Sequence, residues 1–308
     1  MTKVLFFDID GTLTDTHGGL PEIPAGAQRK MKELQERGYL LFLASGRPYA
    51  FIPEILTNFG FDGAVLCNGA HVEMNGQFIY HQPTDLKKTI DLVNHLDENN
   101  FEYIIETKRG AYLDPSFKVL EKFFISCNIN EEFLIEDFNR EDIITECLKL
   151  EVSVPDEHQA KIEEIILNDF NYDKHGTDNA FEIYSNVISK ATGVQKVLEY
   201  LNLNVQDSYA FGDGLNDLEM IQTVGTGVAM GNAVDELKAV SDLVCDSVHN
   251  NGLEKVLNDS MSYDEIAGID TATGATMTSK GIIGAINTAI ETYDAVLDKS
   301  PDGVYTIK

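Results

Sequence analysis

Apolar residues in this chain come in short uninterrupted runs separated by amphipathic stretches. That alternation predicts strands buried on both faces, laid between helices. The run from Lys3 to Phe7 is the first, Leu41 to Ala44 the second, Gly63 to Leu66 the third, and Ala210 with Phe211 marks a fourth. Each is too short for a surface helix, and each leads into a glycine-bearing turn. After the third run, Asn75-Gly76 predicts a tight hairpin turn flanked by His71 and His81. From Lys190 the pattern changes period. Apolar side chains recur at Val194, Val197, Leu198 and Leu201, predicting an amphipathic helix, and a further helix is predicted over Asn250 to Leu257.

Between about Thr84 and Tyr184 the two periods alternate. The pattern predicts a helix over Asp85 to Glu98, extended runs over Phe101 to Glu106 and Ala111 to Leu113, and a helix near Phe117 to Ile125. A strand over Leu148 to Val154, a helix through Ile162 to Leu167 and a strand over Ala180 to Tyr184 follow. This is the composition of an α+β insertion. Its loops Thr107-Lys108-Arg109-Gly110 and His175-Gly176-Thr177-Asp178 read equally as ligand contacts or as solvated turns.

The chemistry-bearing residues gather where the core runs end. Asp8 and Asp10 close the first run, and carboxylates so near one another call for a hard divalent cation such as Mg²⁺. Ser45 and Gly46 follow the second run, a hydroxyl and a glycine that bring donors against a phosphate oxygen, with Arg47 next to them. Lys190 opens its helix with an ammonium able to neutralise a phosphoryl group, and Asp213, Asn216 and Asp217 occupy the turn after the fourth run. Singly, these residues also fit a helix cap, a solvated lysine and an acidic first turn.

In this order, the four motifs resemble those of the haloacid dehalogenase superfamily, and specifically its Cof-type phosphatases with a large α/β cap, over roughly the first 258 residues. The resemblance implies an α/β fold: a Rossmann-like parallel-sheet core of residues 1–81 and 185–258, an inserted α+β cap of residues 82–184, and a short C-terminal appendage, 259–308. It implies a Mg²⁺-dependent phosphatase acting on small phosphomonoesters, sugar phosphates foremost, with a phosphosugar mutase as the alternative. Asp8 would form an aspartyl-phosphate and Asp10 would act as acid and then base. Ser45, Gly46, Lys190 and Asn216 would bind phosphate, and Arg47, Asn68 and Gly69 would face the substrate. Asp8, the carbonyl of Asp10 and Asp213 would hold the metal, supported by Asp217. Ala191 departs from the glycine that often follows the family's lysine.

Composition narrows the partners. With 51 acidic against 23 basic residues the net charge is −28, which repels nucleic acid and anionic membrane and suits a small phosphorylated metabolite bound through local positive charge. Cys67, Cys127, Cys147 and Cys245 show no paired spacing and no apolar run reaches membrane-spanning length, so a reduced, cytoplasmic protein is expected. The seven histidines lack metal-ligand spacing.

Residues 259–308 lie outside the phosphatase pattern. Asp270 to Ser279 resembles the flavinylation motif of FMN-binding domains, which implies covalent FMN on Thr276 installed by a flavin transferase. About the last half of such a domain is represented. Ser279 is placed to cap a predicted helix carrying Ile282, Ile283, Ile286, Ala289, Ile290 and Val296. An appended, vestigial or engineered segment is the other reading.

Overall fold

The computed structural model describes residues 2–16, 18–126, 129, 131–175, 179–258, 297–299 and 305–307. They fall into two units, Met1–Asn258 and Asp259–Lys308. In the second, Leu297–Lys299 and Tyr305–Ile307 pair antiparallel. Thr276, Ser279 and the helix expected from Ile282 lie outside the described residues.

Two sheets organise the first unit. In chain order, β1 (Val4–Phe7), β2 (Leu40–Ala44), β3 (Gly63–Leu66), β4 (His71–Met74) and β5 (Gln77–His81) begin the larger sheet. The smaller sheet follows with β6 (Glu102–Thr107), β7 (Gly110–Leu113), β8 (Leu134–Ile135), β9 (Lys149–Ser153), β10 (Phe170–His175) and β11 (Ala180–Ser185). The chain then returns to the larger sheet as β12 (Ser208–Gly212), β13 (Thr226–Ala229) and β14 (Leu243–Val244). Helices α1 (Ala25–Glu36), α2 (Glu54–Phe59), α3 (Leu86–Glu98), α4 (Lys118–Ser126), α5 (Arg140–Ile143), α6 (Asp156–Ile166), α7 (Lys190–Leu201), α8 (Leu218–Thr223) and α9 (Asp235–Val240) connect them.

The larger sheet runs β14-β13-β12-β1-β2-β3-β4-β5, parallel as far as β3 and closed by the antiparallel β4–β5 hairpin. Its centre explains the uniform apolar runs: β1 lies between β2 and β12, and all four of its residues are buried. Phe6 and Phe42 pack with Val194, Val197 and Leu198 of α7 on one face, while Phe7 stacks on Phe211 at 4.8 Å between centroids. Each such side chain contributes about 1.5–3 kcal/mol by leaving water. Asn75 and Gly76, both at positive φ, make the hairpin turn expected there.

The smaller sheet runs β10-β11-β9-β6-β7-β8. Strand alternation gives it two unlike faces. Tyr103, Ile105, Leu150, Val152, Phe181 and Ile183 pack against Leu92, Val93 and Leu96 of α3 and Ile162 and Ile166 of α6. The other face carries Glu106, Lys149, Glu151 and Glu182. α6 is longer than the sequence pattern suggests. It starts at Asp156, after Pro155, with Asp156 and Glu157 in a first turn that favours negative charge. β10 has too many polar residues to predict as a strand, but as the edge strand it needs only one neighbour.

Candidate active site

Asp8 directly follows β1, its backbone N–H donating to Phe211 O at 3.0 Å, and its carboxylate is buried at the carboxyl edge of the larger sheet. Lys190, the first residue of α7, is equally buried and places Nζ 2.6 Å from both Asp8 Oδ1 and Asp217 Oδ1. α7 starts there because Ser189 precedes it, with Thr192 Oγ1 accepting from the Ser189 N–H. Gly69, at φ +97°, lets the loop after β3 press on this start: a Cβ on Gly69 would stand 2.0 Å from Ser189 O.

Asp217 uses its other oxygen to accept from the backbone N–H groups of Asp213 and Gly214, both at 3.0 Å. Asp213 accepts from Thr12 Oγ1 and from Asn232 Nδ2, and Asn232 also donates to Gly11 O at 2.8 Å. Asn232 thus ties the two acidic loops together; no motif in the sequence marks it. Gly11 has φ +88°, and a Cβ there would stand 2.1 Å from Asp213 Oδ2. Only glycine allows this approach.

Asp8, Asp213 and Asp217 each offer a carboxylate oxygen within 4.8 Å of the others. Burial raises the Asp8 carboxyl well above its ordinary value, against the pull of Lys190 and with the push of Asp217 and Asp213. Burial and Asp217 likewise push Asp213 up to about 6. Burial also works against the charge of Lys190, yet Asp217 and Asp8 outweigh it and hold the ammonium above its usual range. Crowded carboxylates that resist ionisation fit a divalent cation, whose charge reverses that cost. Asp217 is engaged through both oxygens, by Lys190 and the loop amides, and Asp213 likewise through both, by Thr12 and Asn232.

Across the mouth, Arg47 grips Asp10 as a fork, Nε to Oδ2 at 2.9 Å and Nη2 to Oδ1 at 3.0 Å, while Nη1 donates to Phe51 O. Ser45 is buried, and its Oγ accepts from Arg47 N at 3.1 Å. Asn68 donates to Glu182 Oε1 at 2.8 Å and accepts from Asn216 Nδ2 at 3.3 Å. Asp8, Asp10, Ser45, Gly46, Arg47, Asp213 and Asn216 line one cavity of about 450 Å³, together with Glu106, Lys149, Glu151 and Glu182 of the smaller sheet. Gly69 packs on α7 and is outside that lining, as are Asn68, Lys190 and Asp217. Of the two loops singled out between Thr84 and Tyr184, Lys108 turns to the β4–β5 hairpin, 3.5 Å from the Phe78 centroid and 3.5 Å from Glu73 Oε2. Gly176 to Asp178 lie outside the described residues.

The profile of the haloacid dehalogenase-like hydrolases matches residues 5–257. The chain belongs to that family. A curated relative of this hydrolase, "Putative phosphatase YkrA" of Bacillus subtilis (strain 168), is 34% identical over 262 residues, covering 82% of this chain and 95% of that protein. Among solved structures, a hypothetical protein from Geobacillus kaustophilus HTA426 superposes with a TM-score of 0.75 at 26% identity, covering 85% of this chain and 99% of that one. The phosphatase BT1666 from Bacteroides thetaiotaomicron superposes with a TM-score of 0.72 at 25% identity, covering 84% and 94%. The hydrolase thus has the Rossmann-like α/β fold of this family's phosphatases, and among its described residues no helix is long and apolar enough to cross a membrane.

Proposed function

We propose that this hydrolase cleaves small phosphomonoesters, sugar phosphates foremost, through an aspartyl-phosphate on Asp8. The observation that carries the reading is the pairing at 2.6 Å of the buried Lys190 with Asp8, which lines one cavity together with Asp10. An Asp8 oxygen attacks phosphorus in line, the ester P–O bond breaks, and the Asp10 carboxyl gives its proton to the departing alkoxide. As a carboxylate, Asp10 then takes a proton from water; the water oxygen bonds to phosphorus, the Asp8–phosphorus bond breaks, and inorganic phosphate leaves. Lys190 and the Ser45-Gly46 turn offset charge on the phosphoryl oxygens, and Arg47 orients Asp10. Asp8, the Asp10 carbonyl and Asp213 would hold Mg²⁺, which when bound supplies positive charge to the phosphoryl oxygens.

Residues 1–81 and 185–258 serve as the catalytic body and 82–184 as its cap. Lys149 Nζ to Gly46 O at 3.4 Å and Asn68 to Glu182 support a cap that lies over the strand ends and excludes water. Phosphate release from a panel of sugar phosphates, with and without Mg²⁺, tests the reading against an Asp8→Asn control. Metal-dependent release absent from the variant supports it; isomerised sugar phosphate without free phosphate moves the assignment to a mutase. For the tail, the sequence Asp270 to Ser279 supports FMN on Thr276. Intact mass after coexpression with a flavin transferase tests it, and an unchanged mass removes it.

A further inference from the structure

Lys149 reaches out of the smaller sheet toward the turn that follows β2. The residue is 6% exposed, and its Nζ lies 3.1 Å from Glu182 Oε2 and 3.2 Å from Glu106 Oε2. A third contact is different in kind: Nζ donates to the backbone oxygen of Gly46 at 3.4 Å. That distance is long for a hydrogen bond, as those of catalytic sites often are before substrate binds. Glu182, on the neighbouring strand β11, holds the same turn by another route. Its Oε1 accepts from Asn68 Nδ2 at 2.8 Å, and the Asn68 N–H donates to Ser45 O at 3.1 Å.

The oxygen of Gly46 and the N–H of Arg47 belong to one peptide unit. Lys149 holds the first, and the second donates to Ser45 Oγ at 3.1 Å. One torsion that orients this unit belongs to a glycine, the residue that restricts it least, so the orientation is set by what binds its two ends. No side chain fits there to restrict it: a Cβ on Gly46 would stand 3.1 Å from Asn68 Oδ1 and 3.3 Å from Glu182 Oε1. Charge donated at the oxygen also strengthens the N–H of the same peptide. Because Ser45 Oγ accepts from that N–H, its own proton must point elsewhere, and Ser45 lines the cavity beside Asp8.

We propose that Lys149 is a positioning residue for the phosphoryl-binding hydroxyl of Ser45, acting through the Gly46-Arg47 peptide. The inference rests on the phosphatase reading above. The smaller sheet then does more than cover the cavity: its placement over the turn after β2 sets whether Ser45 can donate to a phosphoryl oxygen.

A double-mutant cycle between Lys149→Met and Ser45→Ala tests it. The readouts are kcat/KM for p-nitrophenyl phosphate and competitive inhibition by inorganic phosphate, which has no leaving group. With Ser45 present, Lys149→Met should lower kcat/KM about tenfold and weaken inhibition by phosphate by a similar factor. In Ser45→Ala the same change should cost less than about twofold, because the group it positions is gone. Losses that multiply independently overturn the proposal and leave the phosphatase reading standing. So does a lower kcat/KM with unchanged inhibition by phosphate, which would make Lys149 a contact of the leaving group. If Lys149→Met does not fold without its ammonium beside Glu106, the same cycle in a Glu106→Gln background decides. A wild-type protein that neither hydrolyses p-nitrophenyl phosphate nor binds inorganic phosphate overturns both readings.

Discussion

Lys190 Nζ lies 2.6 Å from Asp8 Oδ1, although the two residues stand 182 positions apart in the chain. The lysine side chain is fully buried and is shared with Asp217 at the same distance. Its removal leaves two buried carboxylates without their cation. Lys190→Met is therefore expected to cost about 3–5 kcal/mol, read from the urea midpoint, and to lower kcat by about 10²- to 10³-fold. Wild-type stability in that variant would show that the pair holds nothing together.

Asp8→Asn separates chemistry from folding. Burial already opposes the charged form of Asp8, so a neutral amide of the same size should keep a cooperative unfolding transition within about 2 kcal/mol of wild type. Turnover should fall by at least about 10³-fold, a loss of ~4 kcal/mol in transition-state stabilisation. Retained phosphate release would move the nucleophile elsewhere.

Arg47 meets Asp10 through two nitrogens, and a lysine cannot reproduce that fork. Arg47→Lys should lose about tenfold in kcat/KM with little change in stability, and Arg47→Ala more. An Arg47→Lys enzyme with wild-type kinetics would assign Arg47 a role as a simple positive charge.

Gly11→Ala tests the acidic cluster. Its left-handed backbone costs about 1–2 kcal/mol for a non-glycine residue, and the new methyl would displace the Asp213 carboxylate. Activity removed by a chelator and restored by Mg²⁺ is expected in both proteins, with the variant needing about tenfold more Mg²⁺ for half-maximal rate. Equal Mg²⁺ requirements would separate Asp213 from the metal.

Glu106 sets a pH dependence. Its folded-state value of about 8 lies above that of an exposed glutamate, so between about pH 4.5 and 8 the folded state holds a proton that the unfolded state has lost. Stability should fall as pH rises through that window, by at most about 1.4 kcal/mol per pH unit. Glu106→Gln, always neutral, should flatten this part of the slope in denaturant titrations from pH 5 to 8. Parallel slopes in the two proteins would show an ionised Glu106 throughout.

The positions of Asp8, Ser45 and Asp213 were legible because each is set by local grammar, an apolar run, then a polar residue and a glycine turn, and that of Lys190 because it opens an amphipathic helix. The pocket wall was not. Lys149 and Glu151 alternate with Leu150 and Val152, a pattern that in a sequence describes any half-exposed strand. Only the packing of the smaller sheet over the Ser45-Gly46 and Asn68 loops, through Lys149 and Glu182, turns its polar face into a buried one. That alternation of charge with β-branched and aliphatic residues was the available signal, but it gave no indication of what would cover it. Lys108 shows the converse, a loop cation that reads equally as a ligand contact or as part of a solvated turn and packs on Phe78 and Glu73 of the β4–β5 hairpin.

By itself the chain determined the α/β class, the strand ends that carry the acidic and hydroxyl residues, and the membership those motifs announce, since hydrophobic periodicity and turn chemistry act over a few residues. Tertiary structure alone decided that Lys190 neutralises Asp8 and Asp217 together, that Asn232 ties Gly11 to Asp213, that Arg47 holds Asp10, and that the second sheet presents a row of acids to the pocket. Those relationships join residues up to 221 positions apart, and their energies depend on burial and on distances of a few ångströms that no local pattern encodes.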